Sequence, residues 1–273
     1  MELFGEKNLQ QLIMPSGNSS KGQNGQVAII GGSKLFHGAP LLALTTASRL
    51  ADMTFFASPE PSVGEIAEKV KSDLLSFIWI PWEEREDYIA KSDAVLIGSG
   101  MMRYKKESND GGGEETREIT RDLLSKFPDK KWVIDAGSLQ MIEKEWIPKG
   151  AILTPNLKEY QRLFGDLDPS AASQKFNCVI VQKLPVTTVC SPAQCTEIKG
   201  GNAGLTKGGT GDVQAGLTVG LLAKNDPFLA AAAASYIVKK AGDELYKKVG
   251  TAYNADDLAG AIPLVFSAIS ALI

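Results

Sequence analysis

A chain of 273 residues is long enough to bury a substantial core, and 44% hydrophobic with 22% charged residues is ordinary for a globular protein. A net charge of −3 carries no signature of nucleic-acid or anionic-membrane binding, so the positive field for any phosphate ligand must be local. The single histidine excludes a His-rich metal site, and no apolar run is long enough to span a membrane.

Residues 1–24 are polar with scattered Gly, Ser and Asn, and read as an arm that packs late. MELFGEKNLQ lacks a basic region followed by an apolar run, so no secretory signal is read and the cytoplasm is the expected location. Gln26–Ile30 (QVAII) predicts a buried strand that ends in Gly31, Gly32 and Ser33. Gly38, Ala39 and Pro40 open a helix to Leu50, with proline tolerated in the first turn. Further strands are expected at 53–57, 76–80, 93–97, 131–134 and 151–153. The fourth strand of this series ends in Gly98, Ser99 and Gly100, the fifth in Asp135, Ala136 and Gly137, and the sixth in Thr154, Pro155 and Asn156. Residues 104–113, charged and glycine-rich, read as a mobile surface loop before a helix to about Phe127. A helix to about Phe164 follows the sixth strand.

Strands alternating with helices predict a mostly parallel sheet covered on both faces. In such a sheet the loops at the carboxyl ends of the strands line the ligand crevice. Residues 178–182, 186–190 and 196–198 predict three short strands, read as antiparallel additions at one edge. Cys190 and Cys195 flank a short turn between two of them and could pair, but free thiols are the expectation in a reducing compartment. Helices over 227–245 and 255–273 complete the chain, which reads as one domain without internal repeat or linker.

Residues 200–216, GGNAGLTKGGTGDVQAG, organise the rest. A glycine-rich loop entering a helix lets backbone N–H groups converge on an anion at the positive end of the helix dipole. Glycine permits the sharp turn and the close approach. Asp212 at the helix start suits the dipole by itself. Beside a bound phosphate a carboxylate is repulsive unless it has a task. The task that fits is general base, taking the proton from a hydroxyl that attacks phosphorus.

The motifs NGQVAIIGGS with GAPLLAL, VIDAG, LTPNLKEYQRLFG, VIVQK and GNAGLTKGGTGDVQAG resemble the ADP/ATP-dependent NAD(P)H-hydrate dehydratases of the ribokinase-like superfamily. The resemblance implies a three-layer α/β/α fold with a mostly parallel central sheet and no lid domain. It implies repair chemistry: a nucleotide phosphorylates the ring hydroxyl of hydrated NADH or NADPH, S epimer, and phosphate then leaves to restore the reduced coenzyme. Hydroxide is a poor leaving group and phosphate a good one. The implied co-substrate is ADP or ATP with Mg²⁺, and the implied assembly is a homo-oligomer, often a tetramer.

Site roles follow from the same resemblance. Asp212 would be the base. Gly209, Thr210 and Gly211 would offer N–H donors to the transferred phosphoryl group, and Gly208 joins them in the nucleotide-binding set. Ala39, Gly100, Asn156 and Asp212 match positions that contact the hydrated dinucleotide. Lys183, Leu184, Pro185, Val186 and Thr187 match the segment that holds the AMP portion of the donor. Asp135 and Glu159 could assist Mg²⁺ through water, or be a helix-cap aspartate and a surface glutamate. Lys207 could pair with phosphate or stay solvated. Two positions depart from the pattern: Asn156 stands where many relatives have histidine, and Leu184 where glycine is usual. A small-molecule kinase acting on a sugar or vitamin alcohol is the competing enzyme reading. A nucleotide sensor without catalysis is the competing reading from another class.

Overall fold

The computed structural model describes residues 1–71, 73–103 and 112–270. Ten strands form a single sheet among them: β1 (Glu2–Leu3), β2 (Gln26–Ile30), β3 (Met53–Ala57), β4 (Ile78–Trp79), β5 (Ala94–Ile97), β6 (Lys131–Ile134), β7 (Ile152–Leu153), β8 (Val179–Gln182), β9 (Thr187–Cys190) and β10 (Cys195–Ile198). Their spatial order is β1-β10-β9-β8-β7-β6-β5-β2-β3-β4. The helices are α1 (Glu6–Leu9), α2 (Gly38–Ala47), α3 (Pro61–Val70), α4 (Arg85–Lys91), α5 (Gly112–Lys126), α6 (Ala136–Met141), α7 (Leu157–Phe164), α8 (Pro169–Phe176), α9 (Thr210–Leu222), α10 (Pro227–Val249) and α11 (Ala255–Ser270).

Alternation along each strand divides the core in two. Val27 and Ile29 join a cluster with Leu44 of α2, Leu217 of α9, Ile237 of α10 and Leu258 of α11. Ala28 and Ile30 join Ile89 of α4, Leu123 of α5, Tyr160 of α7 and Ala172 of α8 on the opposite face. Successive side chains of a strand point to opposite faces, so apolar runs such as QVAII and AVLI are stable only with a helical layer on each side. The result is the expected three-layer sandwich. At one crossing, a β-carbon on Gly216 of α9 would stand 2.2 Å from the Ala43 carbonyl oxygen of α2. Glycine there lets the two backbones touch.

Several expectations need correction. Strand β8 pairs parallel with β7, Leu153 opposite Ile180, so it is the last strand of the parallel series. Only β9 and β10 are antiparallel to their neighbours in that group. The expected strand over 76–80 shortens to Ile78–Trp79 at the sheet edge, where β3 is its one neighbour, although Ile80 N–H still donates to the Phe56 carbonyl at 2.8 Å. The N-terminal residues are built into the body: β1 pairs with β10, and Phe4, Leu9 and Leu12 are buried in the first cluster. Helix α2 ends at Ala47, and α10 continues to Val249. Of the loop expected over 104–113, residues 104–111 lie outside the described residues, while Gly112 and Gly113 open α5. Glu114 and Glu115 in that first turn favour the helix dipole. The last residues of the helix expected to 273, 271–273, also lie outside.

Two of the three cysteines are paired, contrary to expectation. Cys190 and Cys195 form a disulfide across the β9–β10 hairpin with Cα atoms 4.1 Å apart. The physical reason is register. Ser191 N–H donates to the Gln194 carbonyl, which makes the next pair outward, Cys190 and Cys195, a closely spaced non-hydrogen-bonded pair. Cys178 is free and buried, and burial pushes its thiol up to about 12. Protein unfolded without reductant should therefore present one reactive thiol, rising to three after reduction. Three thiols before reduction would refute the bond.

Candidate active site

Five strands of the parallel series, β2, β5, β6, β7 and β8, end on one side of the sheet, and α9 begins there. Glycines let these ends converge. A β-carbon on Gly31, after β2, would stand 2.3 Å from the Ser99 carbonyl oxygen. Gly98, after β5, has φ +115°, and a β-carbon there would stand 2.0 Å from the Asp135 carbonyl oxygen. Both the left-handed backbone and the close approach require glycine. A β-carbon on Gly100 would lie 2.5 Å from the Phe36 carbonyl oxygen and 3.3 Å from Cβ of Ala39. Ala39 and Gly100, distant in sequence, are thus neighbours. Ala136, directly after Asp135, is held at φ +45°, a conformation that costs a non-glycine residue energy and turns the chain sharply into α6.

Lys183, at the end of β8, lies at the centre. Its Nζ pairs with Asp135 Oδ1 at 3.2 Å, and Thr154 Oγ1 donates to that same oxygen at 2.6 Å. Asp135 is 3% exposed, so its charge is answered by these two groups rather than by water. A β-carbon on Gly211 would stand 3.5 Å from Lys183 Nζ, which places the ammonium against the first turn of α9. Burial pushes the Lys183 ammonium down in pKa. Asp135, Glu159 and Asp212 together outweigh burial, and its pKa ends above the ordinary value.

Asp212 lies in that first turn. Burial pushes its carboxyl up and the nearby Asp135 charge adds to it, while Ser99, Lys183 and Arg103 pull the other way. The result is a pKa raised to about 6. Ser99 Oγ itself is buried and makes no hydrogen bond of proper geometry. The N–H groups of a first helical turn have no intrahelical partner and carry the positive end of the dipole. Gly209 caps the turn at φ +89°. Gly208, Gly209, Thr210, Gly211 and Asp212 are therefore contiguous around the α9 N-terminus, with the Lys183 ammonium beside them.

The other candidates divide. Asn156 sits between β7 and α7, bridged to Lys183, and its side-chain oxygen accepts from Glu159 N–H at 3.0 Å. Glu159 returns the bond, its Oε2 accepting from Asn156 N–H at 2.9 Å, and its Oε1 accepts from Gln140. These bonds form a capping box. Leu184, Pro185 and Val186 turn from β8 into β9, with Pro185 and Val186 exposed and Thr187 buried at the start of β9. Lys207 is exposed, and its ammonium donates to the Thr251 and Tyr253 carbonyls, each at 2.5 Å. Asp135 is held by Lys183, Glu159 by the cap, and among the described residues no group of three or more His, Cys, Asp or Glu could hold a metal ion. The side chains here do not fit a Mg²⁺ cage made by protein alone. No helix among the described residues is long and apolar enough to cross a membrane.

Sequence reasoning missed four contributors. Thr154 and Ser99 lie inside loops it singled out and gained their roles only from proximity to Asp135 and Asp212. Lys239 and Asp243, on α10, bond to the backbone of the β8–β9 turn at Pro185 and of the start of the glycine-rich stretch at Gly200 and Gly201. Their one visible signal was i, i+4 spacing on a helix otherwise rich in alanine.

A sequence profile described as NAD(P)H-hydrate dehydratase matches residues 27–264, which take in every candidate from Ala39 to Asp212. The chain belongs to the NAD(P)H-hydrate dehydratase family. A bifunctional NAD(P)H-hydrate repair enzyme of Methanocaldococcus jannaschii is 34% identical over 277 residues, covering 96% of this chain and 52% of that protein. The chain thus spans about half the length of such bifunctional relatives. An ADP-dependent (S)-NAD(P)H-hydrate dehydratase of Cenarchaeum symbiosum is 27% identical over 289 residues and covers 96% of both chains. The fold is that of a ribokinase-like superfamily protein of Enterococcus faecalis, which superposes with a TM-score of 0.84 at 21% identity over 98% of this chain and 96% of that one, and of an ADP/ATP-dependent NAD(P)H-hydrate dehydratase of Bacillus subtilis, crystallised with ATP and Mg²⁺, with a TM-score of 0.80 at 23% identity over 98% of each chain.

Proposed function

We propose that the chain dehydrates hydrated NADH or NADPH, S epimer, at the expense of ADP or ATP, as a hydro-lyase. The observation that carries this reading is Asp212 on the first turn of α9, half-buried, with a pKa raised to about 6, beside a glycine-rich anion cradle and Lys183. A carboxylate so placed is a base close to neutrality, where proton transfer is most effective. Asp212 takes the proton from the ring hydroxyl, and the hydroxyl oxygen forms a bond to the terminal phosphorus of the donor as its bridging P–O bond breaks. The N–H groups of Gly209 and Gly211 stabilise charge on the transferred group, with Gly208 beside them on the nucleotide, whereas Thr210 N–H already donates to the Lys207 carbonyl at 3.3 Å. The C–O bond to the new phosphate group then breaks with its electron pair leaving on phosphate, the adjacent ring carbon gives up a proton to solvent, and the double bond so formed restores the dihydronicotinamide. ADP yields AMP and phosphate.

In this reading Ala39, Gly100 and Asn156 contact the dinucleotide, and Lys183, Leu184, Pro185, Val186 and Thr187 hold the donor. Mg²⁺ held by the donor phosphates, rather than by a cage of protein side chains, would neutralise part of their charge. The chain acts as one domain in the cytoplasm. A homo-oligomer would cover the exposed Leu264 and the groove of about 320 Å³ that it lines with Leu245 and Val265. The family match and the full-length similarity to an ADP-dependent dehydratase support dehydration over a kinase that leaves a stable phosphorylated alcohol.

The test is recovery of the near-ultraviolet dihydronicotinamide absorbance after mixing protein, Mg²⁺ and hydrated NADH with ADP, and separately with ATP. Recovery is expected, and the faster donor names the co-substrate. No recovery with either would overturn the proposal.

A further inference from the structure

We infer that Lys239 and Asp243, one helical turn apart on α10, are positioning residues that hold the two halves of the donor-nucleotide site together. The inference rests on the nucleotide-binding part of the reading above. The two halves are the β8–β9 turn, residues 183–186, and the glycine loop that begins at Gly200. Nothing in their own sequence joins them.

Lys239 is 7% exposed, and its ammonium donates to the Pro185 carbonyl at 2.6 Å and to the Gly200 carbonyl at 2.9 Å. One cation therefore holds one backbone oxygen from each half. Burial pushes its pKa down, and the Asp243 charge opposes that. Asp243 takes up the chain at the next residue: its Oδ2 accepts from Gly201 N–H at 3.0 Å. Asn202 continues the line. Its Nδ2 donates to the Gly242 carbonyl at 2.9 Å, and its Oδ1 accepts from Tyr253 at 2.8 Å and from Gly204 N–H at 2.9 Å.

The loop is pressed onto α10 along this line. Gly200 and Gly201 have φ of +92° and +80°. A β-carbon on Gly200 would stand 3.0 Å from Asp243 Oδ2, and one on Gly201 would stand 2.9 Å from Leu205 Cδ1. A buried ammonium is a costly way to satisfy two carbonyls unless the geometry it enforces matters. Here that geometry sets the distance between the turn that would take the nucleoside part and the loop that would take the phosphates. A ligand spanning both gains affinity when the span is already correct, because no ordering is left to be done on binding.

The experiment measures calorimetric binding of ADP and of ATP with Mg²⁺, and steady-state constants, on wild type and three variants. In Lys239→Met the nucleotide Kd and KM should each rise about tenfold, while KM for hydrated NADH stays within about twofold. Asp243→Ala should show the same split, and Asp243→Asn, which keeps an acceptor for Gly201 N–H, should return toward wild type. Circular dichroism and thermal melting establish that each variant is folded. Unchanged nucleotide affinity in folded Lys239→Met overturns the inference, as do equal losses for nucleotide and dinucleotide. If Lys239→Met does not fold, the Asp243 pair decides by the same split. Wild-type protein that binds neither ADP nor ATP would instead overturn the nucleotide reading itself.

Discussion

Replacing Asp212 by asparagine should lower turnover of hydrated NADH by about 10²–10⁴-fold, the range expected for loss of a general base. The amide keeps the shape and cannot accept the proton. The fold should survive, because α9 is held by Val213, Leu217 and Leu221 in the core rather than by this carboxylate. Nucleotide binding should be retained or strengthened, since a negative charge beside the phosphates is removed. Turnover within tenfold of wild type would remove Asp212 from the chemistry.

The same residue predicts two pH dependences. Its folded pKa is about 6, above the model-peptide value of 3.8. Wild-type kcat/KM should therefore fall as pH drops through about 6, where the base becomes protonated. The stability effect has the opposite sense. A carboxylate whose pKa is raised on folding contributes stability that is fully present below its unfolded pKa and is lost as pH rises through its folded pKa. The wild type has lost that contribution at neutral pH, and the asparagine variant has no charge to bury. It should be more stable at pH 7 by on the order of 1–2 kcal/mol, with the difference vanishing in acid. Urea unfolding of both proteins across that range measures it. A variant less stable than wild type at neutral pH would refute burial as the cause of the shift.

Lys183→Met should cost about 3–5 kcal/mol of stability, the usual consequence of stranding one charge of a buried pair. Asp135 has 4% of its side chain exposed and would keep, among the described residues, the Thr154 hydroxyl as partner. The ammonium also restrains Asp212, so its removal should move the acid limb of the rate profile to higher pH. Combining Lys183→Met with Asp135→Asn should recover part of the lost stability, because no charge is then left unanswered. A double variant as unstable as the sum of the singles would show that packing, not charge pairing, sets the cost.

These effects were unequally legible in the sequence. The parallel strands were readable because the VAII of β2, the WVI of β6 and the VIV of β8 are apolar at consecutive positions, which only a strand covered on both faces can use. The anion cradle was readable because its chemistry is local: glycines, a helix start and Asp212 lie within a few residues of one another. Helices α3 and α8 were overlooked although each carries an acidic N-cap followed by proline, Glu60 with Pro61 and Asp168 with Pro169.

What the sequence by itself determined is therefore the layered class, the side of the sheet that carries the loops, and the residues of the glycine-rich turn. These follow from nearest-neighbour physics: side-chain periodicity, backbone freedom and helix ends. Only the tertiary structure decided that Lys183 pairs with Asp135 across 48 positions, that Lys239 ties Pro185 to Gly200, that β1 closes the edge beside β10, and that Cys190 meets Cys195. Each of these depends on strand order or register. A shift of one residue in register turns a side chain to the other face, and a segment read alone does not specify which neighbour it will face.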